Sequence, residues 1–238
     1  MAKYKFNMDE AFDSIREFNS REFFLGGDCL LKKHFPDDFT GIGPNNLPVL
    51  IILLNGLWGT QLFRDPGVME TMASKLREEW PTICKALSGL GENTLAEEPV
   101  KVYGAATEIF PIILNKNLGH KQHYSFTTKF FHWCTRNHFP IVDSRARKSI
   151  NRIQQNHGIK RGLVLKTTGE MGDLNYINEY KRWVDFYSDL LNSLSIAECD
   201  SLLAVDKESQ ENTNAALSIK NTLLRVLDKI FYQKGRES

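Results

Sequence analysis

Long apolar runs are missing from this chain. The longest, Leu47 to Leu54, has eight residues and includes Pro48, far short of the ~20 that a membrane-spanning helix needs. The opening residues, MAKYKFNMDEAFD, hold no apolar stretch leading to a small-residue cleavage site, so no secretory leader is expected and a cytoplasmic protein is. Cysteine is sparse as well. Cys29, Cys84, Cys134 and Cys199 are scattered with no CxxC pair, which argues against a disulfide framework or zinc ribbon and for reduced thiols. There is no GxxxxGK[ST] loop, no HExxH and no GxSxG, so P-loop, zincin and hydrolase-elbow chemistry are not expected. GIGPNN lacks the strand–helix setting of a dinucleotide site and reads as a turn. His132, Cys134 and His138 match no metal-ligand spacing. No metal or cofactor is expected.

A further scarcity is local. Between Ile109 and Gly169 there is one acid, Asp143, against eleven Lys and Arg, a net +10, which leaves −9 for the rest of a chain whose total is +1. Five of the six histidines, His120, His123, His132, His138 and His157, fall in the same window. A concentrated basic segment attracts polyanions, nucleic acid above all. The plainer alternative is a solvated basic surface that pairs with the acidic remainder of the same protein.

What is present is helical patterning. The 238 residues are enough to bury a core without staples, as one domain of two lobes or two small domains. MDEAFDSIREF reads as a helix capped by Asn7 or Asp9. Gly26-Gly27 interrupt REFFLGGDCLLKKHF, which predicts two short helices or a helix and a turn. PDDFTGIGPNN is a loop by composition. Leu47 to Phe63 reads as a buried helix with Pro48 in its first turn. Asp65-Pro66 opens the next, carrying Val68, Met72, Leu76 and Trp80. Glu97 to Leu114 is a further helix. Phe126, Phe130, Trp133 and Cys134 form the apolar face of a helix that Pro140 ends. Leu163 to Leu165 is a possible short strand. Leu174 to Leu194 is an amphipathic helix. Asp200 to Asn214 is polar and reads as a helix end and linker. Asn214 to Gln233 is the last helix. The class is all-α.

Asp143 stands out within this pattern. It follows Phe139-Pro140-Ile141-Val142, and either it or Ser144 caps a helix through Ala146, Ile150 and Ile153. A carboxylate at a helix N-terminus is held ionised by free N–H groups and the dipole. N-cap duty alone, worth about 1 kcal/mol, explains an Asp there but not its basic surroundings.

The segment FPIVD, after the Tyr124–Cys134 helix, resembles the Pro-Val-Asp segment of the helix-hairpin-helix DNA glycosylase superfamily, whose Asp opens a helix and is catalytic. LPVLIILLNGLWGTQLFRDPGVMETMASKL (47–76) is similar to that family's early buried helix and the loop and helix after it. The likeness covers roughly residues 45–155. It implies a single two-lobed helical domain over 1–238, with a glycosylase-like core at 45–155 and additional helices at 1–44 and 170–238. It implies Asp143 as the catalytic carboxylate, with Asn55, Trp58 and Gln61 near a base pocket and Trp58, Tyr124 and Trp133 as stacking candidates. It further implies His120, Lys121, Arg145, Arg147, Lys148 and Arg152 on the backbone of double-stranded DNA. Two features depart from the family. Its Gly-x-Gly hairpin is reduced to Asn117-Leu118-Gly119-His120-Lys121. Its nucleophilic lysine falls near Tyr124 and Ser125, which implies a monofunctional enzyme; Lys129, one turn on, is the secondary candidate. HYSFTTKFF and FPIVDS also resemble segments of bacterial proteins of unassigned function carrying YSFATK-like and FPIYDS-like stretches, a likeness that lends no activity.

The chemistry agrees with this reading. Cleaving an N-glycosidic bond builds positive charge on the sugar, which a held carboxylate stabilises. Cations hold phosphates, and the target base leaves the stack for an aromatic or polar pocket. Two alternatives stand beside the glycosylase reading: a non-catalytic nucleic-acid-binding or genome-defence module on the same scaffold, and a helical protein-interaction domain.

Overall fold

The computed structural model describes residues 4, 7–36, 38–58, 66–114, 123–135, 138–157 and 173–236, and every regular element among them is helical. In chain order these are α1 (Met8–Asn19), α2 (Glu22–His34), α3 (Leu47–Trp58), α4 (Pro66–Ser88), α5 (Thr94–Glu97), α6 (Pro99–Ile113), α7 (Tyr124–Thr135), α8 (Ser144–Asn156), α9 (Asp173–Leu191), α10 (Ile196–Asn214) and α11 (Leu223–Lys234). Short 3₁₀ turns lie at Phe39–Gly41, Pro44–Asn46 and Ala215–Leu217.

Local chemistry sets most boundaries. The Asn7 side chain accepts the Glu10 N–H at 3.3 Å to start α1. Pro48 and Pro99 sit in the first turns of α3 and α6, where no N–H is missed. Ser195 and Glu198 form a reciprocal capping box on α10, and Thr222 caps α11.

Three expectations are corrected. Gly26 and Gly27 do not break α2, which runs unbroken from Glu22 to His34. Each glycine costs a helix about 1 kcal/mol, but Leu25, Asp28 and Leu31 are fully buried and hold the helix through them. The segment from Asp200 to Asn214 is not a linker but most of α10. The last helix begins at Leu223 rather than Asn214, because Asn214 caps a 3₁₀ turn and the chain is then extended at Ser218. The proposed 163–165 strand lies outside the described residues.

Helices α3, α4, α5, α6 and α9 pack together, with α6 against both α4 and α9. Helices α1, α2, α10 and α11 form a second set, and α11 lies along α8. Helix α7 contacts α3 and is buried at every position from Phe126 to Thr135. One continuous apolar cluster runs through both sets. Phe110, Phe131, Phe139 and Tyr180 interlock at its middle, with Phe110–Tyr180 centroids 4.6 Å apart. No helix among the described residues is long and apolar enough to cross a membrane.

Candidate functional site

The extended link between α7 and α8 delivers Asp143, and it is fixed at four points. The His138 Nε2–H donates to the Gly91 carbonyl at 2.6 Å. The His132 Nδ1–H donates to the Phe139 carbonyl at 2.9 Å. The Tyr180 hydroxyl donates to the Pro140 carbonyl at 3.2 Å. The Val142 N–H donates to Thr128 Oγ1 at 3.0 Å. Phe139, Ile141 and Val142 are buried along the same stretch. A link so pinned leaves Asp143 little freedom, as a site that must hold a carboxylate in one place requires.

The two oxygens of Asp143 do different work. Oδ1 accepts the Arg145 N–H at 2.8 Å and caps α8. Oδ2 lies 3.5 Å from Lys129 Nζ. The capping and catalytic readings of Asp143 are therefore compatible at the level of its geometry. Lys129 Nζ also donates to the Trp58 carbonyl at the end of α3, at 3.4 Å. The Lys129 side chain is 7% exposed and that of Asp143 17%, so the pair is largely withdrawn from solvent, the carboxylate less so than the ammonium. Thr128, which holds the link, is the residue before Lys129. One turn of α7 thus sets the position of both charged groups.

The other sequence candidates are dispersed. Arg147 pairs with Glu179 on α9 at 2.6 Å. Glu179 is nearly buried, and burial pushes its carboxyl up against the opposing pull of Arg147. Arg145 lays its guanidinium over the Tyr232 ring, 4.8 Å from the centroid, and donates to the Tyr232 hydroxyl. Lys148 and Arg152 are exposed one turn apart on α8. Arg152 lines a groove of about 320 Å³ with Glu10, Asp13 and Glu17 of α1. Asn55 is 2% exposed in α3. Tyr124 faces α9 against Tyr176 at 4.9 Å, and burial, then Glu179, raise its hydroxyl well above the usual phenol range. Trp133 is buried against Phe35. His120, Lys121 and Gln61, with the 117–121 hairpin, lie outside the described residues. The structure thus brings Asp143, Lys129, Trp58 and Arg145 together, and sets Tyr124, Trp133 and Arg147 into neighbouring packing.

Behind the pair lies a buried ionic network that the sequence did not announce. Arg225 of α11 donates through Nε and Nη2 to Asp28 of α2, at 2.7 to 3.0 Å, and through Nη1 to Asp228. Lys229 Nζ donates to Asn19 at 2.9 Å and to Asp206 at 2.7 Å. Gln210 and Asn221 also donate to Asp206, at 2.6 and 2.8 Å. Arg225 stacks 4.7 Å from the Trp58 ring, which joins this network to the Lys129–Asp143 pair. Burial pushes Asp228 up to about 6, against the pull of Arg225 and with a further push from Asp143. Burial also acts on Asp206, but Lys229, Asn19 and Asn221 hold it below the usual carboxylate value. In the sequence, Arg225, Asp228 and Lys229 fall at i, i+3 and i+4, a spacing that reads as a solvated helix face.

Among the described residues there is no group of three or more His, Cys, Asp and Glu able to hold a metal ion. Comparison with protein-family models, curated proteins and solved structures gives no match.

Proposed function

We propose that this chain binds DNA and cleaves the N-glycosidic bond of a base, with Asp143 and Lys129 as its reacting groups, in a two-lobed arrangement of the helix-hairpin-helix glycosylase type. The observation that carries the reading is the 3.5 Å approach of Lys129 Nζ to Asp143 Oδ2 at the mouth of a capped helix. The FPIVD resemblance and the basic window support it. As the C1′–N bond breaks, the base leaves with the bonding electrons and the sugar becomes cationic. Asp143, fixed by its N-cap bond, stabilises that charge without reorganising. The new bond to C1′ comes from water or from the amine that Lys129 becomes once its ammonium has given up a proton, and the proton that the nucleophile loses on bonding passes to the departing base. The sequence pattern implied water. The geometry favours the amine, because Lys129 is the nucleophile standing beside the carboxylate.

Base release and borohydride trapping on a panel of damaged duplexes test this. Wild type is expected to release a base and form a trapped protein–DNA adduct. Lys129→Gln is expected to lose the adduct, and Asp143→Asn to lose base release by at least 100-fold, as for the loss of a key electrostatic group. Full activity in both variants sinks the assignment. Base release without any adduct restores the water route. The deep placement of Lys129 and the pairing of Arg147 with Glu179 favour a second reading, a DNA-binding module without chemistry. Binding that weakens steeply with salt, and no base release across the panel, supports that alternative.

A further inference from the structure

Away from the Lys129–Asp143 corner, the segment joining α10 to α11 encloses a hollow that plays no part in the site above. Asn214 caps the 3₁₀ turn at Ala215–Leu217, and the chain is extended at Ser218. Two tethers then hold it beside α10. The Ile219 N–H donates to Gln210 Oε1 at 3.0 Å, and Asn221 Nδ2–H donates to Asp206 Oδ2 at 2.8 Å. Between segment and helix lies a groove of about 630 Å³, within the roughly 300–1,000 Å³ of small-molecule sites. Small side chains leave the space, Ala204 on α10 and Ala215 on the turn. Leu203 and Ile219, both half-buried, give it aliphatic walls.

The charges on this lining balance except at one place. Asp206, 2% exposed, forms the floor. Its carboxylate is filled, since Asn19 and Lys229 donate to Oδ1, and Gln210 and Asn221 to Oδ2. Glu211 at the rim is paired with Lys207, 3.8 Å away. Lys220 is exposed and has no ion pair or side-chain hydrogen bond among the described residues, and neither has the Ser218 hydroxyl two residues before it. A cation and a hydroxyl left free on an otherwise satisfied lining can bind one anionic head. Two donors suit the two oxygens of a carboxylate. A phosphate monoester carries close to two negative charges, one more than Lys220 offsets. Among the described residues no aromatic ring lines the groove, so it suits an alkyl chain over a flat ring system.

We propose that this groove binds a small alkyl carboxylate of the medium-chain fatty acid type, with Lys220 and Ser218 on its head and Leu203, Ala204, Ala215 and Ile219 along its chain. The site is independent of the excision reading. A bound ligand bridges α10 and the segment before α11, and so reinforces the tether of Asn221 to Asp206. Through Asp206 it bears on the joint of Asn19 and Lys229, which ties α1 to α11. Binding to the folded chain alone raises its stability by mass action.

Isothermal titration calorimetry of the full chain with sodium octanoate tests this, with octanol and acetate as the tail and the head alone. Octanoate is expected to bind saturably at one site, and octanol and acetate roughly tenfold or more weakly. Shortening the chain to hexanoate is expected to cost about threefold to fourfold per CH₂. Lys220→Met keeps the aliphatic stem and drops the charge. It is expected to weaken octanoate by roughly tenfold to 150-fold, the loss of one hydrogen bond to a charged group, and to leave octanol unchanged. Ala204→Trp fills the groove and is expected to abolish binding of both. Ala204 and Lys220 are exposed, and urea midpoints check that both variants fold. Octanoate is expected to raise the urea midpoint of wild type and not that of Ala204→Trp. No saturable octanoate binding to wild type, or binding that neither variant weakens, overturns the proposal. So does a dimer in light scattering that Ala204→Trp breaks and octanoate leaves intact, since a second copy of the chain then covers the groove.

Discussion

Asp228 sits one residue before Lys229 on α11, with its carboxylate held by Arg225 and within the field of Asp143. Burial raises it to about 6 from 3.8, so the folded protein binds this proton more tightly than the unfolded chain does. The stability it contributes is fully present below pH 4 and is lost as pH rises through 6. Asp228→Asn has no such proton to lose. Relative to wild type, its unfolding free energy is expected to rise by up to ~3 kcal/mol between pH 4 and pH 7. Urea midpoints of both proteins across that range check it, and a gap that stays constant would falsify the assignment. At neighbouring positions the residue scale was partly readable. Asp143 could be found because a Pro break and a following helix mark an N-cap. Lys129 could be named only as a secondary candidate, because its approach to Asp143 depends on the register that Thr128–Val142 and His132–Phe139 impose between α7 and the link.

Among elements, α8 depends most on its support. Its first turn carries Asp143 and Arg145, and the end of α11 presses against it. A Cβ on Gly235 would overlap the Arg145 carbonyl oxygen and lie 2.8 Å from the Arg145 Cα. No flexible side chain is available to yield there, since the obstacle is backbone. Gly235→Ala is therefore expected to destabilise the protein by about 1–3 kcal/mol, the usual cost of overpacking, and to shift Asp143 away from Lys129. Urea denaturation reads the first, and a crystal structure of the variant, in which the Lys129 Nζ–Asp143 Oδ2 distance is compared with 3.5 Å, reads the second. Helix legibility followed the polarity of each inward face. The stretch from Tyr124 to Cys134 was recognised because Phe126 and Phe130 lie on one side. Most of α10 reads in sequence as a helix end and linker because its buried side offers Asp206, Ser209 and Gln210 with Leu202. Polar groups facing inward carry no hydrophobic period, and only their partners on α1 and α11 make sense of them. The uninterrupted α2 was missed for the opposite reason, because local glycine propensity gave way to tertiary packing.

In the molecule as a whole, charge is shared between segments far apart in sequence. The basic window is not wholly given over to solvent. Arg147 is paired with Glu179 of the acidic remainder, whereas Lys148 and Arg152 have no ion pair among the described residues. Both readings of the window, polyanion attraction and internal pairing, thus have residues that serve them. The deepest link is Lys229, fully buried and bonded to Asn19 and Asp206. Lys229→Met removes the cation and leaves Asp206 buried beside Asp28 with less compensation. Breaking a buried pair in this way costs about 3–5 kcal/mol, so the variant is expected to unfold at a markedly lower urea midpoint, with Asp206→Asn in the same chain recovering part of the loss.

The Arg225–Asp28 bond spans 197 positions of sequence, and Lys229–Asn19 spans 210. Contacts so distant form only after a large loop closes, which slows folding. A chain emerging from the ribosome carries Asp28 through 197 further residues, and Asn19 through 210, before the helix that completes them is made. The Trp58–Arg225 stack and the Tyr232 ring arrive with that same helix. The corner that holds Lys129 and Asp143 is consequently completed only once α11 has been made and has packed.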